Sequence, residues 1–532
     1  MGKRLSPFAH LVVLLTALAA GCSGGGAANG GRAANGGGPS GGSGGAAAAL
    51  GAAGKTSAGG ASGATTTGGA GTAGGGGAPT SGGAAGTGGM SGVAGAGAGM
   101  AGAAGAGGGP SSNLSPVSYV KSSHLPNGKS FGRLMDVDGA VLVVSTPPTV
   151  QVFIDAGSGF KYETEISAPA GASTVFGSAV AVSGDTIVVG DFAADSLLGA
   201  AYVFVHQGNA WQPQGHLTAS NAESDYFGDA VGIHGDTIAV GAPFEDSAPG
   251  GDPAQNNLQD SGAAYVFSRT NGSWSQSAIL KAENADASDQ FGSYLDVSGD
   301  SIIVGVPSEA SAATGVDGDG SDNSATTRGA AYVFFRGQSG WSQQAYLKPG
   351  KNEYVQEFGL DVAISGDIAV VGTEQEASSS SGVNAAEGDG LAAEAGAAWV
   401  FVRKGAKWSA DAFIKATNTD AGDDFGHVAL DGNWLAVGAP AEASGAHGLN
   451  GSQLDNSASG SGAVYTFFRD NGVWIPHDYI KAANAEAGDH FGRILAWSSG
   501  TLAVAAPDES SGVAAHPDDN SAPGAGAVYV YR

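Results

Sequence analysis

The chain has 532 residues, with 94 Gly, 20 Pro, only 13% charged residues and a formal net charge of −27. A single cysteine excludes a disulfide framework and a cysteine-built zinc site. Glycines without a three-residue period exclude collagen, and their cost inside helices argues against an all-helical architecture.

Lys3 and Arg4 open the chain, and an apolar run follows from Leu11 to Ala20. That run is too short to span a bilayer but fits a secretory signal. Leu18-Ala-Ala-Gly-Cys22 resembles a bacterial lipoprotein cleavage box. The resemblance implies that residues 1–22 are a lipoprotein signal peptide and that Cys22 carries lipid as the first residue of the mature chain. An ordinary signal cut nearby is the alternative. No other stretch approaches eighteen apolar residues. The expected address is the bacterial cell envelope: anchored to the outer membrane and facing the surface or the periplasm, or else secreted.

Residues 23–112 are almost wholly Gly, Ala, Ser and Thr. Such a chain lacks the apolar surface to offset its entropy, so a disordered tether is expected, with a root-mean-square span of roughly 50 Å. Gly-x-Gly-x-x-Gly matches near Gly95 follow no strand and open no helix, so they do not signal a nucleotide site. The first 112 residues hold four of the 22 Lys and Arg and none of the 49 Asp and Glu, which leaves −31 for the remainder. A body this acidic repels nucleic acid and anionic lipid.

Residues 113–532 repeat. A Phe-Gly pair recurs seven times, at Phe131, Phe176, Phe227, Phe291, Phe358, Phe425 and Phe491. Alternating apolar residues follow, then a short turn such as Ser183-Gly-Asp185, then a run such as Thr237-Ile-Ala-Val240. That pattern reads as a β-hairpin. After a long polar loop, Gly262-Ala-Ala-Tyr-Val-Phe267 and its counterparts give a third strand, and a fourth begins near Trp211, Trp274, Trp341, Trp408 or Trp474. Four antiparallel strands per repeat predict an all-β, seven-bladed propeller. The last copy ends after its third strand. Residues 116–122 resemble the outer strands elsewhere (Tyr119-Val-Lys121 beside Tyr479-Ile-Lys481), so they are expected to complete the seventh blade. The repeated aromatic residues are expected to pack blade on blade.

Phe-Gly followed by Gly-Ala-Pro, clean at Phe227/Gly241-Ala-Pro243 and Phe425/Gly438-Ala-Pro440, resembles the FG-GAP repeat of integrin alpha subunits and of secreted bacterial proteins. The resemblance covers about 131–532 and implies a propeller that binds extracellular ligands. Integrin propellers hold calcium in an Asp-rich loop between their first two strands. Here that turn is too short to supply six to eight oxygens, so that site is not carried over.

Carboxylates are expected to gather on the face bearing the second-to-third and blade-to-blade connections. Asn221/Glu223/Asp225, Asn284/Asp286/Asp289, Asn418/Asp420/Asp423/Asp424 and Asn484/Glu486/Asp489 precede Phe-Gly pairs. Glu245, Glu309, Glu376, Glu442 and Glu509 recur after the second strand and are expected to form a ring on an acidic face. Asp317, Asp319 and Asp322 form the densest loop, a candidate Ca²⁺ site weighed against a solvated loop whose side chains cap turns. The histidines lack metal spacing and no nucleophile elbow stands out, so no catalysis is expected. The expected function is binding or adhesion as a monomer, toward an extracellular protein or glycan and with no nucleic-acid partner. The alternatives are a polysaccharide hydrolase or lyase and a structural envelope component.

Overall fold

The computed structural model describes residues 114–124, 131–221, 224–250, 254–351, 353–513 and 516–532. Cys22, the tether and Glu223 lie outside them. Among the described residues, twenty-eight strands form seven four-stranded antiparallel sheets. Blade 7 takes β1 (Pro116–Val120) from the start of the propeller. Blade 1 is β2 (Met135–Asp138), β3 (Val141–Thr146), β4 (Thr149–Asp155) and β5 (Phe160–Ser167). Blade 2 is β6 (Ala179–Ser183), β7 (Thr186–Asp191), β8 (Ala200–Gln207) and β9 (Ala210–Leu217). Blade 3 is β10 (Val231–His234), β11 (Thr237–Ala242), β12 (Ala263–Thr270) and β13 (Ser273–Leu280). Blade 4 is β14 (Tyr294–Ser298), β15 (Ser301–Val306), β16 (Ala330–Gly337) and β17 (Gly340–Leu347). Blade 5 is β18 (Asp361–Ser365), β19 (Ile368–Thr373), β20 (Ala397–Lys404) and β21 (Lys407–Ile414). Blade 6 is β22 (His427–Asp431), β23 (Trp434–Ala439), β24 (Ala463–Asp470) and β25 (Val473–Ile480). Blade 7 is completed by β26 (Leu495–Ser498), β27 (Thr501–Ala506) and β28 (Ala527–Tyr531).

Burial follows strand position. Second strands such as β11, Thr-Ile-Ala-Val-Gly-Ala, are buried along their whole length because a neighbouring blade covers each face. Fourth strands such as β13 alternate between exposed and half-buried residues, as an edge with one wet side must. The seven inner strands form a closed circle in which β2 touches both β6 and β26.

The Phe-Gly pair sits where two blades meet. All seven phenylalanines are fully buried. Phe227 packs edge-on against Tyr265 and Phe267 of its own blade, while its backbone bridges to Gly199 of the preceding one. A Cβ on Gly241 would lie 1.9 Å from the Gly292 carbonyl of the next blade, and Gly228 has φ +97°. Those two positions explain why the motif joins a Phe-Gly of one blade to a Gly-Ala-Pro of another.

A ring of small stitches runs along the opposite end of the inner strands. At five of the joints the residue before the turn glycine accepts the glycine N–H of the next blade: Asp138 from Gly184 at 2.7 Å, Ser183 from Gly235 at 3.1 Å and Ser298 from Gly366 at 3.1 Å. Ser365 accepts from Gly432 at 3.0 Å and Asp431 from Gly500 at 2.7 Å. Ser498 closes the circle by donating to Asp138 at 2.8 Å. These short turns are therefore joints between blades.

Residues 116–120 do supply the outer strand of blade 7. Tyr119 stands opposite Tyr529 and Val120 opposite Val528, with Ser115 and Arg532 bonded through their backbones. Phe131 N–H donates to Ala525 O at 3.0 Å, and Arg532 pairs with Asp155 of blade 1.

Candidate functional site

The five recurring glutamates do not form an open rim. Glu245, Glu309, Glu376, Glu442 and Glu509 are at most 1% exposed. Each is paired with a lysine just past the fourth strand of its own blade: Lys281, Lys348 at 2.7 Å, Lys415 at 2.6 Å, Lys481 at 2.8 Å and, through β1, Lys121. A buried carboxylate requires such a partner and further donors. Tyr346, Tyr479 and Tyr119 donate to Glu309, Glu442 and Glu509 at 2.8, 3.0 and 2.8 Å. The residue two positions on adds a donor, as Ser247 does to Glu245 at 2.5 Å and Ser444 N–H to Glu442 at 3.1 Å. Asn284, Asn418 and Asn484, on the connections from the preceding blades, reach Glu309, Glu442 and Glu509 at 3.5, 3.3 and 3.2 Å. Burial lowers the pKa of all five lysines against the opposing pull of the glutamates. The lysines recurring at the ends of fourth strands were the sequence signal for these pairs.

The aspartates before Phe-Gly are also internal. Asp225, Asp289, Asp423 and Asp489 are buried. Asp289, Asp423 and Asp489 accept the backbone N–H of Asp286, Asp420 and Glu486 at 2.8–2.9 Å. Burial, reinforced by the neighbouring glutamate charge and only partly offset by these bonds, pushes each up to about 7.

The loop acids have local duties. Asp317 accepts Tyr346 N–H at 3.0 Å, Asp319 accepts both Ser321 groups, and Asp322 accepts both Ser324 groups at 2.9 Å. Each carboxylate caps a different segment. Among the described residues, no group of three or more His, Cys, Asp or Glu is disposed to hold a metal ion. The phrases Asp322-Asn-Ser324, Asp455-Asn-Ser457 and Asp519-Asn-Ser521 share a second task. Asn323, Asn456 and Asn520 donate to Asp286, Asp420 and Glu486 on the connection from the preceding blade, at 2.8, 3.0 and 2.6 Å. The Asn-rich loops thereby strap each blade to the last.

A different cluster sits at the channel mouth, where the inner strands begin. His427 Nε2 lies 2.8 Å from Glu374, and its Nδ1 is 3.7 Å from Asp361. Burial opposes its charge, yet those two carboxylates carry it to about 8. Arg493 is 3.5 Å from Glu374. His490 is 2.8 Å from Asp508, and Arg133 of blade 1 is 3.7 Å from the same carboxylate. The hydrogen bond from His490, with the charges of His490, Arg133 and Arg493, holds Asp508 below the usual carboxylate range despite its burial.

Residues 163–204, 211–267 and 274–334 match the FG-GAP repeat. Each match starts in the fourth strand of one blade and ends in the third strand of the next, so the repeat as a sequence unit straddles the joint where the Phe-Gly pair packs. The chain carries FG-GAP repeats. No curated protein matches it. Degenerate copies keep the FG-GAP joint by other means. In blade 1, Ser145 replaces the second-strand glycine and its hydroxyl donates to Gly177 O at 2.5 Å. In blade 7, Ala505 serves instead, in contact with the space beside Gly132.

Proposed function

We propose that this FG-GAP propeller is a monomeric binding or adhesion protein of the bacterial cell envelope, displayed on the residue 23–112 tether and anchored by lipid at Cys22. The observation that carries the reading is the division of labour within the repeat. The recurrent Phe, Gly and Asn residues are consumed in holding blade to blade, and the recurrent Glu and Lys pair off inside each blade. Residues 243–250, 254–262, 307–329, 374–396, 440–462, 507–513 and 516–526 are long connections on one face, and between the shared Glu-x-Ser and Asp-Asn-Ser phrases their sequences differ. A rigid scaffold with divergent loops on one side suits recognition. The glutamates that would have served as general acids and bases are tied to lysines, which favours binding over hydrolysis or lyase chemistry.

Protein and glycan arrays probed with the full chain test the reading: specific capture is expected, and blank arrays would overturn it. For the anchor, labelling of cells with a palmitate analogue is expected to mark the wild type and not Cys22→Ala. Equal labelling of both would remove Cys22 as the lipid site.

A further inference from the structure

We propose that the channel mouth between blades 7 and 1 is a seat for a single carboxylate group, with Arg133 and Arg493 as its donors; this rests on the binding reading above and gives it a place and a ligand chemistry. Both arginines directly follow a Phe-Gly pair, two residues ahead of the inner strands β2 and β26. The other blades have Ser178, Asp229, Ser293, Leu360 and His427 there. Ring closure sets β2 against β26 and so brings two guanidinium groups from opposite ends of the propeller sequence to neighbouring blades at the mouth, Arg133 3.7 Å from Asp508 and Arg493 3.5 Å from Glu374.

Their donors are idle. Of the eight arginines among the described residues, six donate side-chain hydrogen bonds to the protein. Arg269, Arg336, Arg403, Arg469 and Arg532 bond to carboxylates, and Arg328 bonds to the Val355 carbonyl. Arg133 and Arg493 have only ion pairs of 3.7 and 3.5 Å, and their side chains are 55% and 32% exposed. Asp508 is already held by His490 and Glu374 by His427, so neither carboxylate saturates the guanidinium groups. A planar fork of N–H donors matches a carboxylate. The net charge of −27 narrows the class further, because the molecule as a whole repels a polyanion. The ligand is therefore one carboxylate on a small acid, or on a sugar that is otherwise neutral.

The test is ligand-observed NMR on the full chain with D-glucuronate, acetate and D-glucose. Glucuronate is expected to bind and glucose not to. Arg133→Gln with Arg493→Gln should weaken binding at least ~10-fold, while Lys407→Gln leaves it unchanged and melting temperatures confirm that all variants are folded. Acetate binding as well as glucuronate would assign the seat to small acids; a strong preference for glucuronate would assign it to a sugar. Failure of both acids to bind, or equal binding by the double variant, would overturn the seat. Array hits that ignore the two arginines would remove the seat and leave the binding reading. Arginine-dependent glucuronate binding with blank arrays would do the reverse.

Discussion

The joint between blades 4 and 5 and the joint between blades 3 and 4 share one backbone design but differ in every polar stitch outside the loops. At the first, Asp296 accepts Ile364 N–H at 2.8 Å and Ser298 accepts Gly366 N–H at 3.1 Å. Gln344 accepts the Trp408 indole at 2.8 Å and Arg403 at 3.2 Å, and Ser301 accepts Arg403 at 3.0 Å. At the second, Gly232, His234 and Ser277 occupy the places of Asp296, Ser298 and Gln344. The Ser277 hydroxyl turns to Ser268 and the Val266 carbonyl of its own blade. The Trp341 indole nitrogen is buried without a partner, and Arg336 bonds only Asp300 of its own blade. Yet Gly241 meets the Gly292 carbonyl as closely as Gly305 meets Gly359, at 1.9 and 2.2 Å from a built Cβ. The glycine approach and the buried Phe define a joint; the polar stitches set how firmly it closes.

Blade 4 belongs to both joints, so its internal pair gives the largest effect. Glu309→Gln leaves Lys348 buried without its counter-charge and should cost ~3–5 kcal/mol. Glu309→Leu with Lys348→Met should recover most of it, as read by chemical denaturation. A smaller loss for the single change than for the double would break the account. Next, Gly241→Ala and Gly305→Ala should each cost ~1–3 kcal/mol through overpacking. The two losses should agree, since both joints share the approach; a much smaller loss at Gly241 would show that the unstitched joint is already loose.

The comparison is sharpened by exchanging stitches. Ser277→Gln offers the Trp341 indole an acceptor, and His234→Ser restores the turn bond. Each should stabilise by ~1 kcal/mol, and Gln344→Ser should cost about as much. Hydrogen exchange at β14 should slow in the first two variants. No change in melting temperature in any of the three would mean the stitches carry no weight.

The smallest effect is one of pH. The 3–4 joint carries Asp289 where the 4–5 joint carries Gln356. Asp289, Asp423 and Asp489 hold their protons to about 7 when folded, against ~4 for an ordinary Asp. Their stabilisation is complete below pH ~4 and is lost as pH rises through ~7. His427, raised to about 8, acts in the same direction, complete below ~6.5 and lost through ~8. The melting temperature should fall between pH 6 and 8.5, and Asp289→Asn should flatten that fall in part. A rising profile would reverse the assignment.

Much of the fold was legible because a propeller repeats its local chemistry. The Phe-Gly pairs announced the blade count, and the unfinished last copy announced β1. The site was less legible. Glu309 reads as a surface acid until β17 brings Lys348 beside it, and whether a carboxylate is buried depends on a partner 39 residues further along. Nothing in the sequence Asp322-Asn-Ser324 announces that Asn323 reaches Asp286 of the blade before.

The sequence by itself determined the strands, their number per blade and the donor of the final strand, since those follow from local periodicity and turn chemistry. Tertiary structure alone decided which charges are spent and which are free. Closing the circle sets Arg133 beside Asp508, and Coulomb interactions and hydrogen bonds act through space at a few ångströms, indifferent to the 375 positions of sequence that separate the two.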